Sequence, residues 1–327
     1  MTSPGQSHYQ VIYHCLEAAS RFVAPVLSPA LALQSLREII PAMPAAAAMA
    51  ETDDGPPTSA QQTLELVDTA ARLVTHLDEK SPANPLGWET VAGVIRILDD
   101  LAAQLGSTVR REKADLVRGL YVIIDPQVTG GRDPLYIAQA SIQGGARMLQ
   151  LRDKLRDKGE SLPLAISLQN LCAQSGVSLI VNDHADIAAI VSAAGLHVGQ
   201  TDLPVERARQ VLSHGQVLGR SNRDIEQIID SEQMGADHVA FGAVFQTNTT
   251  GKGLGHPPRG VQELRIARDN AKTPLVAIGG INADNVAAVV EAGADAICLT
   301  AAVALAPEPE AAAARLVRLI EEAGGRI

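Results

Sequence analysis

LVAIGGINADNVAAVVEAGADAICLT, residues 275–300, holds one full repeat of this chain's architecture. Leu275–Gly280 is a short apolar run rich in β-branched residues, and it ends in two glycines. Asn282-Ala-Asp284 then offers a helix start, a helical pattern follows, and Gly293 stands where a helix C-cap is expected. Ala296–Thr300 is a second run of the first kind. Two unbroken apolar runs joined by a helix read as parallel strands, buried on both faces, with the helix as their crossover.

Outward from this segment, the same alternation fills the chain from Gly119 onward. The runs are Leu120–Asp125, Met148–Lys154, Leu179–Asp183, Leu196–Gln200, Val217–Asn222, His238–Phe245, Leu275–Gly280 and Ala296–Thr300. Each is followed by a helical pattern of roughly ten to fifteen residues. Gly144–Gly145, Gly176, Gly195, Gly215, Gly235 and Gly293 fall where several of those helices end. Eight such units in residues 119–327 match the count and length of a closed (β/α)8 TIM barrel of the α/β class. An open doubly wound sheet is the competing arrangement, and the lack of a Gly-x-Gly-x-x-Gly after the first run weighs against it.

Residues 1–118 have another texture and predict a smaller, all-helical N-terminal domain. Val91, Val94, Ile95, Leu98, Leu101, Ala102 and Leu105 share one helical face, and Leu66, Val67, Ala70, Leu73, Val74 and Leu77 share another. The breaker segment Ser81–Gly87 between them predicts a helical hairpin. Two further helices are expected near 8–22 and 29–40, and the Pro/Ala-rich, acidic stretch 41–58 reads as a linker. His8, His14 and His76 have no partners at ligand spacing, so interaction or homo-oligomer formation is the role expected of this domain.

Charge narrows the partners. Residues 1–118 carry nine Lys/Arg against fourteen Asp/Glu and the remainder 18 against 23, so each part stands at −5. Neither is basic enough to suggest nucleic acid. No apolar stretch reaches 18 residues, which argues against a membrane span. Cys15, Cys172 and Cys298 are far apart with no CxxC, so neither a disulfide framework nor a thiolate metal site is expected, and a reducing cytoplasm suits them.

In a barrel of this kind, the C-terminal strand ends and the loops after them build the active site. The second run ends Gln150-Leu151-Arg152-Asp153-Lys154, and alternation turns Gln150, Arg152 and Lys154 to one side. Two cations and an amide suit a diphosphate, against the plainer reading of a solvated charged end. Asn182-Asp183 closes the third run and Asp202 follows the fourth. Two carboxylates from neighbouring ends, with no thiol or His pair, fit Mg²⁺ shared with substrate phosphates; alone, Asp183 would read as a helix cap. Ser221 ends the fifth run, and Thr247-Asn248-Thr249-Thr250-Gly-Lys252 belongs to a loop long enough to close over a substrate. Gly279–Gly280 and Leu299-Thr300 stand at the phosphate position of this fold. His197 and Cys298 read as lining or packing residues.

These segments resemble a known family. QLRDK (150–154), VNDH (181–184), GLHVGQTD (195–202), GRS (219–221), the TNT loop (247–249), AIGGI (277–281) and LTAA (299–302) occur in the order and spacing of thiamine phosphate synthase. The resemblance covers about 119–320 and leaves residues 1–118 outside. It implies a transferase that couples hydroxymethylpyrimidine diphosphate to a thiazole phosphate, releasing pyrophosphate and giving thiamine phosphate. It implies that Gln150, Arg152, Lys154, Asn182 and Ser221 hold the pyrimidine diphosphate. Asp183 and Asp202 would bind Mg²⁺, and Thr247, Thr249, Gly279, Gly280, Leu299 and Thr300 would hold the thiazole phosphate. In the family, lysine directly follows the second threonine. Here Thr250 and Gly251 intervene and Gln246 replaces the customary proline, so either Lys252 reaches back across the glycine-containing loop, the arrangement expected, or that contact is lost and activity is weaker. A thiazole tautomerase and a non-catalytic thiamine phosphate sensor are the competing functions. Retention of Arg152, Lys154, Asp183 and Asp202 argues against the first, and only the altered loop speaks for the second.

Overall fold

The structure is a computed structural model that describes residues 11–12, 15, 59–80, 88–247 and 257–327, with the side chains of 76–80 and 88–90 left aside. The chain divides into two compact units, Met1–Arg110 and Arg111–Ile327.

In the first unit, helix Ala60–Lys80 begins at a capping box. Ser59 N donates to Gln62 Oε1 at 2.9 Å while Gln62 N donates to Ser59 Oγ at 3.2 Å, so two otherwise unsatisfied amides are closed reciprocally. Leu64, Val67, Ala70 and Val74 of this helix pack with Val91, Val94, Leu98, Leu101, Ala102 and Leu105 of helix Trp88–Ala114, and Ile12 joins them. The buried stripe of the first helix is thus centred on Leu64–Val67, with Leu66 only half-buried, a small rotation from the face expected. The segment 81–87, the linker 41–58, the helix expected at 29–40 and most of that at 8–22 lie outside the described residues.

The second unit is the barrel. Strands β1 Gly119–Ile124, β2 Met148–Leu151, β3 Ser178–Asn182, β4 Gly195–Val198, β5 Val217–Asn222, β6 His238–Gly242, β7 Leu275–Ile278 and β8 Ala296–Leu299 are parallel and close as β1-β2-β3-β4-β5-β6-β7-β8. All eight lie within or beside the expected runs, but several are shorter. Ladder pairing stops at Leu151 and Val198, so Arg152, Lys154 and Asp202 stand on loops at the mouth. The helices after β3, β4 and β7 are also shorter than expected, at six, five and six residues. Strands of four or five residues span only about 15 Å, so a helix turn and its flanking bends suffice to return the chain.

Alternation sorts the strand residues into two layers. Leu120, Val122, Leu149, Leu151, Val181, Leu196, Leu218, Phe241, Ala277 and Leu299 face the helices in the main core. Tyr121, Ile123, Met148, Ile180, Val217, Ala240, Val276, Ala296 and Cys298 fill the barrel interior, with Val117 beside them. The opposite end from the mouth carries a repeated brace. Asp237 accepts from Leu218 N at 2.8 Å and Arg209 at 2.6 Å; Asp295 accepts from Leu275 N at 2.8 Å and Arg268 at 2.5 Å. Both aspartates end a Gly-Ala-Asp in which the glycine has positive φ, 91° at Gly235 and 93° at Gly293.

Candidate active site

Gln150 points into the barrel, where Tyr121 on β1 accepts its Nε2 at 2.7 Å. That bond fixes the orientation of the amide, using one of its two N–H donors, and leaves Oε1 as an acceptor for a ring amine. Tyr121 is buried, and burial raises its phenol well above the ordinary value, so it remains a neutral partner.

The two cations after β2 diverge. Arg152 turns toward β1 and forms an ion pair with Asp125, a buried carboxylate whose other oxygen accepts from Gln127 N at 2.9 Å. Lys154 turns toward β3 and meets Asp183 at 2.7 Å. Each cation is held in place by its own carboxylate, one from either neighbouring strand end. Asp125 was missed at sequence level; its position as the last residue of an otherwise apolar run is the signal that could have found it.

Asp183 has φ 63°, the left-handed region that a residue with a side chain rarely adopts, while its N donates to His197 O at 2.8 Å. The carboxylate is therefore directed to Lys154, and the N-cap position of the next helix is held by His184, which makes no side-chain cap bond. Asp202 Oδ2 accepts from Gly199 N at 2.9 Å, and a Cβ at Gly199 would lie 2.6 Å from that oxygen. Among the described residues, no group of three or more His, Cys, Asp or Glu could hold a metal ion. Two hard carboxylates fit a cation that draws the rest of its shell from phosphate oxygens and water, as Mg²⁺ does; they do not make a closed protein cage.

Asn182 is buried at the end of β3 with Nδ2 lacking a protein partner. Ser221 on β5 is 2.8 Å from His197 Nε2. Burial first, then the neighbouring imidazole of His238, pulls His197 down to about 3, and burial alone pulls His238 down to about 4. Both rings are neutral at physiological pH.

Across the mouth, Gly279 and Gly280 have φ 100° and 66°. A Cβ at Gly279 would lie 2.6 Å from Ala243 Cα, and one at Gly280 would lie 2.5 Å from Gln246 O. The glycine pair is thus pressed against the backbone that leads from β6 into the threonine loop, with Phe245 N donating to Gly279 O at 2.9 Å. Thr247 is half-buried at the start of that loop, and Thr300 stands at the N-cap position of the short helix Ala301–Ala304 without a side-chain cap bond. Asn248, Thr249 and Lys252 lie outside the described residues. Leu151 and Leu299 send their side chains to the helix layer, so a ligand can meet them only through backbone. Asp153 is buried and accepts from Arg156 Nε at 2.7 Å, a local brace of the loop.

A closed eight-stranded barrel with paired cations and carboxylates on one side of its mouth and a glycine cup on the other belongs to the class of barrel enzymes that handle phosphorylated small molecules. The family model described as thiamine monophosphate synthase matches residues 120–303. The thiamine-phosphate synthase of Shouchella clausii is 38% identical over 204 residues, which are 62% of this chain and 97% of that protein. That of Moorella thermoacetica is 40% identical over 207 residues, 63% and 98% of the two chains. The solved thiamine phosphate pyrophosphorylase of Pyrococcus furiosus superposes with a TM-score of 0.59 at 30% identity, covering 65% of this chain and all of that one. This chain belongs to the thiamine monophosphate synthase family.

Proposed function

We propose that this protein is a thiamine-phosphate synthase, a transferase that joins hydroxymethylpyrimidine diphosphate to a thiazole phosphate and releases pyrophosphate. The observation that carries this reading is the pair of anion sites at one mouth: Arg152 and Lys154, each steadied by a carboxylate, and the Gly279–Gly280 cup. A coupling of two phosphorylated substrates needs both.

Arg152 and Lys154 take the diphosphate and stabilise the negative charge that grows on it as it leaves. Ser221 Oγ holds an oxygen of the diphosphate, and Asn182 Nδ2 and Gln150 Oε1 orient the pyrimidine. Its amino group donates electrons into the ring, so the methylene can carry positive charge until the thiazole nitrogen captures it. Thr247, Asn248, Thr249, Gly279, Gly280 and Thr300 present the thiazole phosphate, with Lys252 reaching the diphosphate from the loop. Asp183 and Asp202 would hold Mg²⁺, which when bound neutralises leaving-group charge. No protein nucleophile takes part, and positioning and electrostatics supply the rate. A cytoplasmic home and a homo-oligomer formed through the N-terminal domain accompany the reading. Among the described residues, no helix is long and apolar enough to cross a membrane.

Incubating purified protein with both substrates, with and without Mg²⁺, tests the reading by the release of pyrophosphate and thiamine phosphate. Metal-dependent product is expected, and its absence overturns the proposal. Asp183→Ala should lose turnover while keeping its melting transition; full activity in that variant would refute the metal site.

A further inference from the structure

The barrel interior holds two imidazoles that the chemistry above does not use. His197 on β4 and His238 on β6 are both buried, with ring centroids 5.9 Å apart and planes inclined by 31°. Gly219 on β5 lies between them, paired in register with each. A Cβ at Gly219 would overlap His238 Nε2 and lie 2.7 Å from His197 Nδ1. The missing side chain at 219 is therefore what gives both rings their room. His197 Nδ1 and both nitrogens of His238 have no hydrogen-bond partner, whereas His197 Nε2 lies 2.8 Å from Ser221 Oγ.

Each neutral imidazole carries one N–H. If that of His197 sat on Nδ1, a donor would be stranded in the slot beside Gly219. Nε2 would then accept the proton of Ser221 and turn it inward. With the proton on Nε2, the bond to Ser221 uses the ring's only donor. Nδ1 remains a bare acceptor beside His238, the less costly orphan. Ser221 then receives a bond from below, and its own proton is free to point to the mouth.

We propose that His197 is a positioning residue that donates Nε2–H to Ser221 Oγ and so aims the Ser221 hydroxyl at an oxygen of the pyrimidine diphosphate, with His238 and Gly219 shaping the slot that holds its ring. No bond is made or broken in this step. The inference rests on the synthase reading for the identity of the anion, but not for the tautomer.

Two measurements on the full chain decide it. The first is a cycle of kcat and KM for pyrimidine diphosphate in His197→Gln, His197→Asn, Ser221→Ala and the His197→Asn/Ser221→Ala pair. A glutamine amide nitrogen reaches the place of Nε2, whereas that of asparagine reaches only Nδ1. His197→Asn should lose about 3- to 10-fold in kcat/KM, as expected for a hydrogen bond between neutral groups. Glutamine should recover most of the loss, and asparagine should cost nothing further once Ser221 is alanine. Additive losses, or glutamine no better than asparagine, overturn the proposal. The second is the ¹⁵N-resolved spectrum of the His197 ring in the parent protein, which needs no variant to fold and no turnover. A proton on Nε2 is expected, and one on Nδ1 overturns the proposal. A parent that makes no thiamine phosphate but shows the Nε2–H form would sink the synthase reading and leave the positioning bond standing.

Discussion

At the scale of single residues, the mouth is built from charges that answer one another across strands. Asp125 is the least obvious of them: its carboxylate side chain is 2% exposed and its partner Arg152 is 16% exposed. Asp125→Asn should leave the guanidinium without a counter-charge and cost about 2 kcal/mol, within the range for hydrogen bonds to charged groups. In a unit of this size that is a fall of about 4–8 °C in melting temperature. KM for the pyrimidine diphosphate should rise with it, because Arg152 loses its fixed direction. An unchanged melt and unchanged KM would show that Asp125 is incidental. Residue type could not disclose this pair, since Asp125 and Arg152 stand 27 positions apart. Nor could it say that Leu151 and Leu299 face the helices, or that Asp153 serves Arg156.

At the scale of elements, the strands end earlier than their apolar runs suggest, and the polar residues that follow are freed to turn to the neighbouring strand ends. Glycine at these ends does two different jobs. Gly279 and Gly280 need their positive φ, whereas Gly219 has a torsion that any residue adopts and is required only for space. Gly219→Ala should therefore drive a methyl group into two buried rings and cost about 1–3 kcal/mol, as overpacked cores do. Gly159→Ala, at the start of helix Lys158–Ser175 with nothing within 4 Å, is the control and should hold or raise stability. Thermal denaturation of the pair checks this, and equal melts would discount the slot between His197 and His238. The repeated Gly-Ala-Asp at 235–237 and 293–295 was visible as letters, but its job of tying a helix arginine to the preceding strand was not.

At the scale of the molecule, the family lies in the barrel alone. The Shouchella clausii and Moorella thermoacetica thiamine-phosphate synthases are matched over 97% and 98% of their own length by about three fifths of this chain, and the family match falls at residues 120–303, so they leave little room for a counterpart of residues 1–110. A fragment 111–327 should accordingly fold and turn over close to the full chain, retaining Val117, which is buried among the interior residues. Light scattering and the coupled assay on both forms check this. A fragment that folds but is inactive would assign the N-terminal unit a part in the site, and a shared activity with a smaller assembly would give that unit the oligomer.

The sequence alone determined the fold class and the eight strands, because apolar period and residue type are local properties that survive in one dimension. Gln150, Arg152, Lys154, Asp183, Ser221 and the glycine pair could be singled out by position on a run, and Asp202 by following one. Only the tertiary structure decided which partner each one faces: Arg152 with Asp125, Lys154 with Asp183, Ser221 with His197. Those pairings depend on barrel closure and register, which bring strands far apart in sequence side by side. Closure also buried His197 and His238 around Gly219, turning two ordinary letters into the floor of the site.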